Sequence, residues 1–329
     1  MAIAILILLI LLLALAGALY EARAEAAGRR RFPPPGRLVP AGAGRVHLAG
    51  LGEAVPGRPA VLLESGQGSW SLAWRDLQGQ IADFARVLAY DRAGLGWSDP
   101  GERPRTPERL ADELHQALAA AGETGPFVLV GQAMGCQLAR LYAARYPEQA
   151  AALVMVDPAP GSPRDLPAEE ARSLRKLASR SQAAAALARL GIPRLACRRF
   201  FPSPASSPDQ TLLASQTLNP RFFQALADET RGFLDPSAWR ELPDSLGDLF
   251  LVIVSPGRDT GQAEDPDPLL GLSSRSHRIP VVGGTNTLAA HPEAVLAAIQ
   301  AAVEIASLRP ASRSGSAGDG PASQPAAEA

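Results

Sequence analysis

Hydrophobic residues follow two patterns along this chain, and each pattern predicts a different kind of structure. Residues 2–20 form an apolar run without a single charge before Glu21. At about 1.5 Å per residue, such a helix is roughly 28 Å long, close to the thickness of a bilayer core. Further along, short apolar runs alternate with amphipathic stretches, which is typical of buried parallel strands joined by helices. We therefore predict an α/β fold behind an apolar N-terminal segment.

The alternation is regular enough to assign the individual elements. Short apolar runs predict strands at 60–64, 86–90, 127–130, 152–156, 249–255 and 277–282, after a hairpin at 38–49. Helical spacing predicts helices at 74–84, 107–121 and 292–308, and Thr106 followed by Pro107 is a typical helix start. These elements predict a mostly parallel sheet covered by helices on both faces.

Composition divides the chain into segments. Residues 1–20 are an anchor or signal segment, and 21–37 are a linker that the prolines of RRRFPPPG extend from Arg29. Residues 38–308 form the folded domain, with a helical lid inserted at about 161–248. Residues 309–329 are rich in Ser, Ala, Gly and Pro without apolar periodicity, which predicts a disordered tail.

The apolar N-terminus has two interpretations. It is long enough to anchor the chain in a membrane, and it lacks the positive residues that usually precede a cleaved signal. The alternative is a secreted protein, with small-residue cleavage sites at 14–16 or 22–24. Arginines follow the span, which by the positive-inside tendency favours a cytoplasmic domain, whereas signal-anchored proteins are more often exported, so both sides of the membrane stay open.

Charge and cysteine content argue against several classes of function. The chain has 32 basic and 33 acidic residues, a net charge of −1, so it offers no electrostatic reason to expect a nucleic acid partner. Cys136 and Cys197 lie in unrelated contexts, which predicts neither a metal site nor a disulfide framework. No cofactor is expected.

One stretch carries the features of a reaction site. Residues 127–146, FVLVGQAMGCQLARLYAARY, predict a strand, a tight turn between Gly131 and Gly135, and a helix. This is the layout of a nucleophile elbow, G-x-S-x-G, in which small flanking residues let the chain lift one side chain into a cleft. The central residue here is Ala133, so the turn is kept while the attacking oxygen is missing.

Three further motifs occur with the elbow in a characteristic order. They are LLESGQGSWSLAW, AYDRAGLGWSDPG and, after the elbow, LVMVDPAP. From Val46 to Leu308 the chain thereby resembles the α/β-hydrolase superfamily, in particular the membrane-anchored or exported bacterial branch similar to proline iminopeptidases.

The resemblance implies a role for each matching position. Ala133 falls on the nucleophile, Asp259 on the acid that follows a strand, and Thr285 on the histidine base. The base position is found by counting back from Pro292, because relatives have G-x-G-H there and this chain has GGTN. Gln67 and Met134 would supply the oxyanion N–H groups, and Gln132 stands where relatives commonly have histidine.

Two of the three triad positions therefore cannot do the chemistry of the family. Loss of either residue typically costs roughly a millionfold in turnover. We expect no serine hydrolase activity, and a retained cleft that binds a small molecule or a protein partner at a membrane. The alternative is a hydrolase of esters or amides that uses water directly or a relocated residue, with His291 as base or Cys136 as nucleophile.

Overall fold

A central sheet organises the computed structural model, which describes residues 1–159, 166–200, 208–257, 268–283 and 286–308. Its strands are β1 (Arg37–Ala41), β2 (Gly44–Leu51), β3 (Ala60–Glu64), β4 (Val87–Tyr90), β5 (Phe127–Gln132), β6 (Ala150–Val156), β7 (Phe250–Pro256) and β8 (Ser276–Val281). They lie in the order β1-β2-β4-β3-β5-β6-β7-β8. The β1–β2 and β2–β4 pairs are antiparallel, and the other pairs are parallel. The predicted fold class is confirmed.

The helices connect and cover these strands. They are α1 (Ala2–Arg31), α2 (Arg75–Ala82), α3 (Pro107–Ala121), α4 (Met134–Arg145), α5 (Ala168–Ala188), α6 (Ile192–Phe200), α7 (Pro208–Thr217), α8 (Pro220–Leu234), α9 (Thr287–Ala290) and α10 (Pro292–Ser307). The start of α3 is the one predicted, since the Thr106 side chain accepts a hydrogen bond from the Arg109 N–H.

Both faces of the central strands, β3 to β7, are buried, which explains why these strands are almost continuously apolar. Along β5, Val128 and Val130 pack in a cluster with Ile299 of α10, whereas Leu129 between them packs in a second cluster with Leu114 of α3. Successive side chains of a strand point to opposite faces. A strand covered by helices on both sides therefore needs apolar residues at every position.

A helical insertion between β6 and β7 is present, as expected. It consists of α5, α6, α7 and α8, which we call the lid, and α5 packs against α8. Parts of the predicted lid segment, 161–165 and 201–207, and the predicted tail at 309–329 lie outside the described residues.

The N-terminal helix is longer than the apolar segment predicts. The sequence predicts an extended linker from Arg29, but α1 continues to Arg31 and only then reaches the proline run. Ala, Glu and Arg dominate residues 21–31 and are strong helix formers. An i,i+4 ion pair between Arg29 and Glu25, 2.6 Å apart, adds to the stability of this part.

Candidate functional site

The predicted elbow is formed between β5 and α4. Ala133 has φ 50° and ψ −117°, a conformation that side-chain-bearing residues rarely adopt. The backbone holds it there because the Ala133 N–H donates to the Val156 carbonyl at 3.0 Å and the Ala133 carbonyl accepts from the Cys136 N–H at 3.1 Å. A strained backbone of this kind costs on the order of 1–3 kcal/mol and tends to occur at functional sites.

Two glycines make the turn possible. A Cβ atom on Gly131 would lie 2.6 Å from the Cα of Cys136, inside the first turn of α4. A Cβ on Gly135 would lie 2.7 Å from the carbonyl oxygen of Glu64 at the end of β3. Neither contact is compatible with a larger residue, so the G-x-x-x-G spacing is required by packing alone.

Two residues close to Ala133 in the chain or in the fold have backbone N–H groups without an acceptor in the described residues. The loop at residues 65–69, which we call the oxyanion loop, approaches so closely that a Cβ on Gly66 would lie 3.7 Å from the Cβ of Ala133. Within the described part of the chain, the N–H groups of Gln67 and Met134 have no hydrogen-bond acceptor. Ala133, Gln132 and Gln67 are half-buried, and we call the partly exposed surface at these three residues the elbow cleft.

The positions assigned to the acid and the base, Asp259 and Thr285, lie outside the described residues. The residue after Thr285 is described, and it lies beside the elbow. Its carboxamide oxygen, Oδ1 of Asn286, accepts from Nε2 of Gln132 at 3.3 Å. Asn286, one residue after the assigned base position, therefore contacts the residue next to Ala133.

Asp157 fixes this segment from the other side. It follows β6 with φ 47°, and its Oδ2 accepts from the N–H of Thr287 at 2.6 Å. Its Oδ1 accepts from the Thr287 hydroxyl. Both bonds are to Thr287, the first residue of α9.

Cys136 is poorly placed to act as a relocated nucleophile. Its side chain is fully buried, and its thiol donates to the Gly131 carbonyl at 3.1 Å. Burial raises the pKa of the Cys136 thiol far above its ordinary range. A protonated thiol facing a carbonyl oxygen inside the packed core is not a nucleophile.

His291 is engaged at the start of α10. Its Nε2 lies 3.0 Å from the Val282 carbonyl oxygen, and its Nδ1 lies 3.5 Å from the carboxylate of Glu293. These contacts belong to a helix start rather than to a base that faces Ala133.

A buried ionic network, which sequence reasoning missed, supports the oxyanion loop. The Arg92 guanidinium donates to the Ser65 carbonyl at 2.7 Å and to the Gly66 carbonyl at 2.8 Å. It also donates to Glu64 at the end of β3 and to both carboxylate oxygens of Glu229 on α8. Arg92 thus uses every N–H it has, and its side chain is 2% exposed. One side chain holds the sheet, the loop and the lid together.

The network carries more negative than positive formal charge. Glu64 and Glu229 face the single charge of Arg92, and the Tyr90 hydroxyl donates to Glu64. Burial raises the pKa of the Glu64 carboxyl, an effect that Arg92 partly opposes. Burial also raises the pKa of Tyr90, with the Glu64 charge adding to it. A glutamate at the end of a buried strand, in LLES, was the available sequence signal.

The lid also binds the oxyanion loop directly. Nε2 of Gln67 donates to the Thr230 hydroxyl on α8 at 2.6 Å, and that hydroxyl donates to the Leu226 carbonyl at 2.5 Å. The Gln67 side chain is therefore committed to the lid, and only its backbone N–H is left for a ligand.

Metal chemistry has no support among the described residues, which contain no group of three His, Cys, Asp or Glu side chains able to hold an ion.

An elbow at the end of a parallel sheet, with an oxyanion loop beside it and a helical lid above, defines an α/β-hydrolase-type protein. The family model for the alpha/beta hydrolase fold matches residues 59–229, and the chain belongs to that family.

Individual relatives agree with this family. An AB hydrolase superfamily protein of Gibberella zeae is 31% identical over 101 residues, which is 30% of this chain and 31% of that protein. The chain aligns with less than half of the length of the first curated relatives it matches.

Solved structures show the same fold at low identity. A malate-bound thermophilic esterase from Thermogutta terrifontis superimposes with TM-score 0.61 at 19% identity, covering 82% of this chain and 98% of the esterase. The enol-lactonase from Burkholderia xenovorans superimposes with TM-score 0.59 at 16% identity, covering 82% of this chain and 100% of the lactonase.

Proposed function

We propose that this chain binds a small molecule in the elbow cleft without cleaving it as a serine hydrolase would. One observation carries the proposal: Ala133 is held in a strained conformation beside two backbone N–H groups, of Gln67 and Met134, that lack acceptors in the described part of the chain. Two such donors suit a carbonyl or carboxylate oxygen. The methyl group of Ala133 has no atom with which to attack it.

A small molecule is favoured over a protein partner. The lid is fastened to the oxyanion loop by the Arg92–Glu229 pair and the Gln67–Thr230 hydrogen bond. A folded partner would have to break these bonds to reach Ala133, whereas a small molecule enters beneath a closed lid.

The hydrolase alternative has less support. Of the two relocated candidates, Cys136 is buried with a protonated thiol and His291 is engaged by Val282 and Glu293. What remains for that alternative is the direct attack of water in the elbow cleft.

We further propose that α1 stays attached and anchors the chain in a membrane. The helix is long and apolar enough to span a bilayer, with a mean hydropathy of 3.2 in its most apolar part. Its second half packs on the lid, where Glu21 accepts from Arg194 at 2.8 Å. Cleavage at 14–16 or 22–24 would remove or shorten a helix that the lid contacts, which favours an anchor over a cleaved signal.

Two measurements on the full-length protein in detergent test the binding proposal. A fluorophosphonate probe and a p-nitrophenyl ester report nucleophilic chemistry, and we expect neither labelling nor hydrolysis. Malate, the compound bound in the esterase relative, serves as the first carboxylate probe in a thermal-shift titration. Binding to the folded state raises the melting temperature with concentration.

A matched pair of glycine variants locates the binding. Gly66→Ala puts a methyl group 3.7 Å from Ala133, an ordinary contact that the fold tolerates. Gly79→Ala adds the same methyl group on α2, where nothing lies within 4 Å. We expect the malate shift to weaken in the first variant and to persist in the second. Covalent labelling that survives Cys136→Ala would refute the proposal.

A further inference from the structure

The apolar helix is exposed at one end and bound to the lid at the other. Large side chains from Ile3 to Leu15 are at least half exposed, whereas Glu21 is 3% exposed and paired with Arg194. The boundary between the two halves marks where the folded body begins.

The contacts of α1 follow a definite order along its length. Among its glycines the first contact is at Gly17, where an added Cβ would lie 2.5 Å from the carbonyl oxygen of Leu190 in the turn between α5 and α6. Next, the ring of Tyr20 packs against Gly191 in the same turn. Further along, Gly28 meets Ser215 of α7. The α5–α6 corner is therefore the part of the lid closest to the apolar end of α1.

The length of the apolar segment fixes the depth of this corner. Residues 2–20 form roughly 28 Å of helix, and a bilayer core is about 30 Å thick. A segment that spans the core must use nearly all of these residues. Gly17 and Tyr20 then lie at the edge of the core, and the α5–α6 corner lies there with them.

The α5–α6 corner has exposed apolar side chains. Leu187, Ile192 and Leu195 are 47%, 41% and 50% exposed, although they are large aliphatic residues. Exposed apolar side chains grouped at one place commonly mark an interaction surface. On the proposed anchoring, the neighbouring apolar helix lies in lipid, which makes the same bilayer the occupant of this surface.

We propose that the α5–α6 corner is inserted into the membrane beside α1, with Leu187, Ile192 and Leu195 in contact with acyl chains. This inference rests on the proposed anchoring by α1. It makes the lid, and not only the N-terminal helix, a membrane-contacting element.

Fluorophores attached to single cysteines of the whole chain test whether the α5–α6 corner is inserted into the membrane. The parent is Cys197→Ala, since the remaining Cys136 is fully buried and does not label. Leu187→Cys, Ile192→Cys and Leu195→Cys report the corner, and Leu9→Cys reports α1. The labelled proteins are reconstituted into phosphatidylcholine vesicles that carry a quencher on the acyl chains.

Two reference sites control for exposure and for distance. Leu51→Cys lies on β2 and is 47% exposed, which matches Leu187. Leu213→Cys is on α7 with Ser215, and the contact of Ser215 with α1 is roughly 16 Å further from the apolar end than that of Leu190. A thermal melt of each labelled variant confirms that it is folded.

We expect strong quenching at Leu9, quenching at the corner several-fold above that at Leu51, and little quenching at Leu213. Quenching at Leu9 together with a corner no more quenched than Leu51 overturns the inference and leaves the anchor in place. Absence of quenching at Leu9 overturns the anchor, and the inference falls with it. Ligand binding in the elbow cleft is measured separately in detergent and does not depend on either result.

Discussion

Arg92 and Glu229 form a two-point ion pair across the boundary between the sheet and the lid. Nε of Arg92 donates to Oε1 of Glu229 at 2.9 Å, and Nη2 donates to Oε2 at 3.1 Å. Because the same guanidinium also holds the Ser65 and Gly66 carbonyls, the position of α8 and the shape of the oxyanion loop depend on one side chain.

Removal of the Glu229 charge is expected to destabilise the protein strongly. Glu229→Gln replaces one of the two Glu229 oxygens that accept from Arg92 with an N–H group, so a buried guanidinium N–H loses its acceptor, at an expected cost of about 3 kcal/mol. Asp228→Asn is the control, because its partners Arg103 and Arg231 are largely exposed and such pairs contribute about 1 kcal/mol or less. Denaturant unfolding gives the free energy of unfolding of both variants. Equal losses in the two variants would contradict the assigned role of the network.

Ala133→Gly is expected to leave the stability unchanged or to raise it by about 1 kcal/mol, because relief of the strained backbone outweighs the extra freedom of glycine when unfolded. Ala139→Gly, in the middle of α4, has no strain to relieve and is expected to lose about 1 kcal/mol. Thermal unfolding distinguishes them. A clear loss in Ala133→Gly would mean that the elbow is not strained.

Restoration of the two missing groups tests the register of the site. Ala133→Ser with Thr285→His is expected to raise p-nitrophenyl ester hydrolysis on the order of 10³-fold over either single variant, since nucleophile and base act as a unit. The control pair is Ala133→Ser with Asn286→His, in which the imidazole is displaced by one residue. If the control pair is the more active, the base position was assigned one residue too early.

Glu64 gives the stability a pH dependence of defined sign. Burial raises its pKa above 4.5, so the folded state binds the proton more tightly than the unfolded state. The stabilisation that protonated Glu64 contributes is complete below the pKa that Glu64 has in the unfolded state. It is lost as the pH rises through the pKa that Glu64 has in the folded state. Glu64→Gln should therefore flatten the decline in stability above about pH 4.5, as followed by urea unfolding.

Asp99 provides the opposite case as a control. Its hydrogen bond from Arg45 lowers its pKa below 3.8, so its contribution is lost as the pH falls. Asp99→Asn should change the stability curve only on the acid side. An unchanged pH profile in Glu64→Gln would show that Arg92 fully balances the burial of Glu64.

The two cysteines are expected to differ in reactivity. Iodoacetamide should label the half-buried Cys197 in the folded protein, and Cys136 only after unfolding, because burial keeps the Cys136 thiol protonated and covered. Mass spectrometry checks Cys197 in the unaltered chain and Cys136 in the Cys197→Ala variant. Labelling of Cys136 in the native state would reopen its candidacy as a nucleophile.

Sequence patterns were sufficient for the sheet and for the elbow. Residues buried on both faces must be apolar at every position, so strands such as β5 and β6 stand out, and the elbow is fixed by Gly131 and Gly135. Strand burial and the elbow turn both depend on residues that are neighbours in the sequence. Periodicity and short motifs therefore reveal them.

The long-range pairs could not be predicted in the same way. Arg92 and Glu229 are 137 residues apart, and nothing in either neighbourhood specifies the other. The same holds for Gln67 with Thr230, and for Glu21 with Arg194. These pairs depend on where the lid helices pack relative to the sheet and to α1. That arrangement is determined by contacts across the whole domain.

Because α1 is continuous, it determines the orientation of the folded domain relative to the apolar N-terminal end. The helix runs from Ala2 to Arg31 without a break and is bound to the lid at Glu21. Its apolar end therefore has a fixed orientation relative to the folded domain. The orientation of that end therefore also sets the orientation of the lid and of the elbow cleft beneath it.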